Sequence, residues 1–216
     1  MKRIILIALL LAAVLLTSCR SGELGRLLGF GAPDYSGEPV IGTVEPDSDA
    51  GLEITEMIKM LSVDSVKLPE FTSMKESVNL CRDSLLNYML YTDFAKYSGD
   101  PALLEDAEKA YPDMTISQLI PASDFESMMY RYFGGNVKIS HVSGRMFRYL
   151  PKASAYVPLA TPRGDRFDVI LDKAEETENT YRVEFTCSNG EKSLSYRAVI
   201  IKRDDGTMYF SSVKRK

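Results

Sequence analysis

Hydrophobic and polar positions divide this chain into four stretches with different periods. Ile4 to Leu16 is an unbroken apolar run preceded by Lys2 and Arg3. Residues 20 to about 50 have no sustained period and carry six glycines, three prolines and the acidic stretch Glu45-Pro46-Asp47-Ser48-Asp49. Such a composition buries too little to offset ordering entropy and predicts a tether. From Phe71 to Tyr97, Met74, Val78, Cys81, Leu85 and Tyr88 recur at helical steps. Leu86, Leu90 and Phe94 widen the stripe, so one long amphipathic helix is expected. Shorter helices are expected over 52–61, over 102–110 behind Asp100 and Pro101, and from Ser123 to about Phe133. Ser123 and Glu126 would form a capping box there, and Gly134-Gly135 would end the helix. One further turn is expected over 115–119. After Asn136 the period drops to two. Val137, Ile139 and His141 alternate, as do Phe167, Val169 and Leu171, then Tyr181 to Cys187, then Leu194 to Ile200. Asn189-Gly190 and Asp205-Gly206 read as hairpin turns with Glu178-Asn179 as a third, so residues 166–214 predict a four-stranded antiparallel meander. Helices first and strands afterwards make the fold class α+β.

The 13 residues of the N-terminal run would span about 20 Å as a helix, short of a hydrocarbon core of roughly 30 Å, so a secretory h-region is the better reading. Leu16-Thr17-Ser18-Cys19 closes it. This tetrapeptide resembles the bacterial lipobox, which implies cleavage between Ser18 and Cys19 and a diacylglycerol thioether on Cys19. Two or more acyl chains anchor firmly, since each buried CH₂ contributes about 0.8 kcal/mol. The organisation expected is therefore a signal peptide over 1–18, a lipidated cysteine and flexible tether over 19–50, and a single domain over 51–216. The expected location is the extracytoplasmic face of the cell membrane, or the outer membrane where the organism has one.

The order of elements over residues 70–216 also resembles the cystatin-like, nuclear-transport-factor-like group of cone-shaped α+β folds. That resemblance implies a curved sheet wrapped on the long helix, with a cavity at one end. Enzymes of the group place a carboxylate in that cavity beside a tyrosine or second acid. Here the inward strand positions Phe167, Val169, Leu171, Val183, Phe185 and Leu194 include no carboxylate, and Asp168, Asp172 and Glu184 fall on the opposite face.

Composition narrows the chemistry further. The formal charge is −4, and about −6 without Lys2 and Arg3, which argues against nucleic acid as a partner. His141 is the sole histidine and shares its face with apolar residues, so a packed role outweighs a catalytic one. No metal site is expected, because His141 has no Cys or carboxylate at ligand spacing, and no cofactor. Cys81 and Cys187 each lie on an apolar face. A disulfide between them would close a loop of about 105 residues, worth roughly 4 to 5 kcal/mol, while two separate buried thiols are the alternative. Tyr130, Tyr132, Phe147, Tyr149 and Tyr156 crowd the middle of the chain as candidate binding aromatics. Arg163-Gly164-Asp165 reads as a turn before a strand rather than an adhesion tripeptide. The expected function is a non-catalytic binding or assembly module anchored to the membrane, its partner an envelope protein or cell-wall polymer. The rival is an envelope enzyme with a small cavity.

Overall fold

The computed structural model describes residues 35–216 apart from 64, 136–137 and 162–166. The lipobox and the first half of the expected tether, together with Val137 and Arg163-Gly164-Asp165, lie outside the described residues. The fold is α+β, and its main folded unit runs from Pro39 to Lys216.

Five antiparallel strands form the main sheet: β1 (Gly42–Thr43), β5 (Asp168–Glu176), β6 (Thr180–Ser188), β7 (Ser193–Lys202) and β8 (Met208–Arg215), adjacent in that order. The sheet thus has five strands rather than four, because the N-terminal stretch pairs with β5. Gly42 sits opposite Glu176 and Thr43 opposite Glu175. Ile41 N–H donates to the Glu176 carbonyl and Val44 N–H to that of Ala174, each at 2.8 Å. Residues 41–44 are therefore structure and not tether, and the folded unit begins at Pro39 instead of Gly51. The two expected Gly turns carry the φ > 0 that glycine tolerates, 84° at Gly190 and 83° at Gly206. At the first, the Asn189 side-chain oxygen accepts from the amides of Glu191 and Lys192. Bulges at Leu171/Lys173 in the β5–β6 pair and at Val199/Ile200 in the β7–β8 pair shift the register of the sheet locally.

Seen from the sheet, α1 (Asp49–Lys59) lies against β5, capped by the Ser48 hydroxyl on Gly51 N–H. The expected long helix is three segments: α2 (Met74–Leu80), α3 (Arg82–Thr92) and α4 (Phe94–Ser98). Cys81 (φ −103°, ψ 2°) and Asp93 (φ −134°, ψ 52°) interrupt it. Hydroxyls compete for the backbone beside both breaks. Ser84 Oγ donates to the Cys81 carbonyl at 3.0 Å, and Thr92 Oγ1 to that of Tyr88 at 2.8 Å. The breaks also change what is buried. Phe94, expected on the stripe, is 49 % exposed, while Arg82, Ser84 and Asn87 are buried alongside Leu85 and Leu86. The sequence element that does behave as a capping box is Ser73 with Glu76. Ser73 Oγ accepts from Glu76 N–H, and the Glu76 carboxylate accepts from Thr72 N–H, which holds its pKa below the usual value.

Helix α5 (Pro101–Ala110) starts as expected, with the Asp100 carboxylate accepting from the amides of Ala102 and Leu103. No turn of helix forms over 115–119. Instead Ile120–Pro121 is a two-residue strand, β2, pairing with β4 (Ala155–Pro158), which pairs in turn with β3 (Phe147–Leu150) in a second, three-stranded sheet. This moves the start of α6 (Ala122–Phe133). Its first amide, Ala122 N–H, is satisfied by the Ser154 carbonyl at 2.8 Å, so Ser123 lies inside the helix and forms no capping box. The expected strand at Ile139 and His141 is an irregular segment.

One core joins α1, α2, α3 and α6 to the five-stranded sheet through Ile54, Leu85, Phe125, Phe185 and Phe210, all fully buried or nearly so. A smaller cluster of Ala107, Ile116, Leu119, Leu150, Ala155 and Val157 joins α5 to the small sheet.

Candidate functional site

Two features converge near the start of α3, where Arg82 and Asp83 point to different neighbours. The first is a hydrogen-bonded chain centred on His141. Its Nε2 lies 2.8 Å from Glu126 Oε1 and its Nδ1 2.9 Å from the Tyr156 hydroxyl. Since an ionised carboxylate only accepts, Nε2 carries the proton towards Glu126 and Nδ1 accepts from Tyr156. The Tyr149 ring stacks on the imidazole at 5.1 Å, and Phe125 meets the Tyr156 ring edge-on at 5.2 Å. Tyr156 is fully buried. Burial pushes its hydroxyl up to about 12 against the pull of the neighbouring Arg82 guanidinium.

Carboxylate, imidazole and hydroxyl in line is the layout of a nucleophilic triad. Here the hydroxyl is sealed off and its pKa is raised rather than lowered, so the chain positions a loop. Its span runs from α6 through the 138–146 segment to β4.

Asp83 secures the other end of that loop. Its Oδ2 accepts from Arg145 N–H at 2.8 Å and Met146 N–H at 3.1 Å. Gly144 must be glycine, since a Cβ there would collide with the Asp83 carboxylate. Gly144 N–H also donates to the Phe147 carbonyl, and Tyr149 N–H to Ser143 Oγ. The turn is therefore held from several sides.

That loop forms one rim of the second feature, a groove of about 380 Å³. Residues 61–63, 65 and 67–69, between α1 and α2, form the opposite wall, and Leu80, Asp83 and Ser84 the floor. The wall is pinned across the molecule by Tyr196. This hydroxyl donates to the Val66 carbonyl at 2.9 Å and accepts from Leu68 N–H at 3.0 Å. A two-way bridge between Phe71 and Val213, 2.9 Å in each direction, fixes the wall's C-terminal end. Two cations face the groove, Lys67 from the wall and Arg145 from the rim, and both are exposed.

Comparison with family profiles, with curated proteins and with solved structures finds no match to this chain. The site must therefore be read from its own geometry.

Of the residues singled out by sequence, Cys81 and Cys187 are free thiols, so the disulfide is not formed. Each is enclosed in its own apolar surroundings, and burial raises both pKa values, that of Cys187 to about 12, which keeps the thiols inert. The five aromatics do not make one binding face. Phe147 and Tyr156 belong to the core, and Tyr149 is half-buried against His141. Tyr132 packs on the core edge with Arg131 over its ring, and Tyr130 is partly exposed. Among the described residues no group of three His, Cys, Asp or Glu could hold a metal ion, and no helix is long and apolar enough to cross a membrane. Lys67, Asp83, Gly144 and Arg145 were not visible as a set. Asp83 and Arg145 are 62 positions apart, and no period or motif links them.

Proposed function

We propose that this chain is an extracytoplasmic lipoprotein, anchored through Cys19, whose domain acts as a non-catalytic binding or assembly module of the cell envelope. The apolar run ending in Leu16-Thr17-Ser18-Cys19 supports the address. The single observation that supports binding is the preformed groove, whose wall is tied by Tyr196 and whose rim is tied by Asp83 and His141. Concave sites with apolar walls and a few placed polar groups are the usual form of ligand sites. The order of elements, helices followed by an antiparallel sheet, supports kinship with cystatin-like modules. The enzyme reading draws on Glu126–His141–Tyr156 alone. It would need the Tyr156 hydroxyl to reach a substrate, and that atom belongs to a fully buried residue.

Two experiments test this. Cys19→Ala should leave uncleaved or soluble precursor and abolish partitioning into detergent; normal membrane retention would refute the anchor. Crosslinking in intact cells, read by mass spectrometry, should capture an envelope protein or wall polymer at groove residues. Turnover of a small molecule that is lost in Tyr156→Phe would instead establish the enzyme.

A further inference from the structure

We infer that the Asn189-Gly190 turn modifies itself: the Gly190 amide nitrogen attacks the Asn189 carboxamide, ammonia leaves, and hydrolysis gives an aspartyl or isoaspartyl residue at position 189. The site is the tip of the β6–β7 hairpin and draws on neither the groove nor the anchor.

Three observations lead there. First, the electrophile is held and polarised. Asn189 N–H donates to the Lys192 carbonyl at 3.1 Å, which fixes the residue's backbone. Its side chain folds forward along the turn, where Oδ1 accepts from Glu191 N–H at 3.2 Å and from Lys192 N–H at 2.9 Å. Attack at Cγ moves negative charge onto that oxygen. Two backbone donors already aimed at it act as an oxyanion hole, which stabilises the tetrahedral intermediate more than the starting amide.

Second, the nucleophile is available. The Gly190 N–H lies outside the β6–β7 ladder and makes only a long contact to Ser188 Oγ, at 3.5 Å. Gly190 has no side chain to hinder the approach, and nothing comes within 4 Å of the place a Cβ would take. Every other asparagine precedes a residue that does have a side chain: Leu80, Tyr88, Val137 or Thr180. Asn189 and Gly190 are both exposed, so water reaches the reacting atoms.

The steps balance with water alone. The Gly190 nitrogen gives its proton to solvent and bonds to Cγ. Nδ2 takes up a proton and leaves as ammonia, which closes a succinimide ring. Water then opens that ring. Opening at Cγ gives aspartate, and opening at the main-chain carbonyl gives isoaspartate. The isoaspartyl product adds a methylene to the backbone of the turn that sets the β6–β7 register.

Third, the Asp205-Gly206 turn of the same sheet shows what a blocked site looks like. Asp205 Oδ1 is cradled in a similar way, by Thr207 N–H at 2.9 Å and the Thr207 hydroxyl at 2.7 Å. Those bonds hold the Asp205 carboxyl below the usual carboxylate range, so it stays ionised and is a poor electrophile. The Gly206 N–H is committed too, donating to the Arg203 carbonyl at 3.0 Å. Neither half of the reaction is ready there.

The test incubates the full-length chain in detergent beside a blocked peptide spanning residues 186–194, at one pH and temperature. Mass spectrometry of proteolytic fragments reads the amide-to-acid mass gain at position 189, and released ammonia is assayed in parallel. The folded chain should react at least about tenfold faster than the peptide, because only the folded turn keeps both donors in place. Unfolding the chain in urea should bring its rate down to that of the peptide. Glu191→Pro removes one donor and should slow the folded chain by about tenfold, its fold being checked by the amide spectrum. A folded chain that reacts no faster than the peptide would overturn the inference, even where that variant fails to fold. An unchanged rate in folded Glu191→Pro, or isomerisation at Asp205-Gly206 as fast as the reaction at Asn189, would overturn it too.

Discussion

Replacing Tyr196 by phenylalanine removes one oxygen and tests how the groove wall is held. The ring would stay in place, stacked on Phe185 at 5.6 Å and fully buried, so packing should be almost unchanged. The lost oxygen, however, serves two backbone groups at once, accepting from Leu68 N–H and donating to the Val66 carbonyl. Val66 and Leu68 are each only 3 % exposed, so water cannot readily replace it. A buried polar group left unpaired costs about 1 to 3 kcal/mol. Two such groups, eased by some outward shift of the wall, should cost about 2 to 4 kcal/mol in total. In a domain of this size that lowers the melting temperature by roughly 5 to 12 °C. Urea unfolding gives the free energy, and amide exchange at Leu68 locates it, since that proton should exchange far faster in the variant. A stability change below about 0.5 kcal/mol, with Leu68 still protected, would show that the wall does not depend on this hydroxyl.

Leu85→Ala, at a fully buried position of α3, should cost about 2 to 5 kcal/mol in the same urea assay, and a cost below about 0.5 would mean that the helix face is not enclosed. Limited proteolysis should cut before Pro39 first and leave a stable fragment starting near that residue, with slow amide exchange at Ile41 and Val44; early cleavage within 41–50 would contradict the pairing of β1 with β5. The raised pKa of Tyr156 makes stability depend on alkaline pH. An unfolded tyrosine loses its proton near 10.0 and the folded one near 12, so stability should be full below about pH 10 and fall as pH rises towards 12. Unfolding measured across that range should show a shallower decline in Tyr156→Phe, and an identical slope would refute the assignment.

The strands over 168–202 were legible because each has its polar and apolar residues on alternate sides. On β6, Val183, Phe185 and Cys187 are buried on one face, while Arg182, Glu184 and Thr186 alternate with them on the other. The turn at Asn189-Gly190 and the cap at Asp100 were legible for a related reason, since local chemistry decides them within four residues. What was missed depends on partners far along the chain. β1 and β2 have two residues each, too few to show a period, and exist only because β5 and β4 offer them an edge. The breaks at Cys81 and Asp93 leave the apolar spacing intact, so a pattern built on spacing runs straight through them. His141 alternates correctly with Ile139, yet its place is set by Glu126 and Tyr156, each 15 residues away on opposite sides. The groove is harder still, because the wall and rim that make it share no sequence neighbourhood.

The clip of Gly42–Thr43 onto β5 would acquire a mechanical meaning under the anchor proposed at Cys19. A pull from that anchor would reach this two-residue strand before it reaches α1 or the core. Its outer fastenings are single amide donors at Ile41 and Val44, each worth about 1 kcal/mol net, whereas α1 behind it is set into the apolar interior by Ile54, Met57 and Ile58. The strand therefore yields first. Its release would pay out roughly eight residues, about 25 Å of extended chain, before load falls on the helix at Ser48. A domain so anchored would lengthen its connection under tension and shorten it again without unfolding the groove.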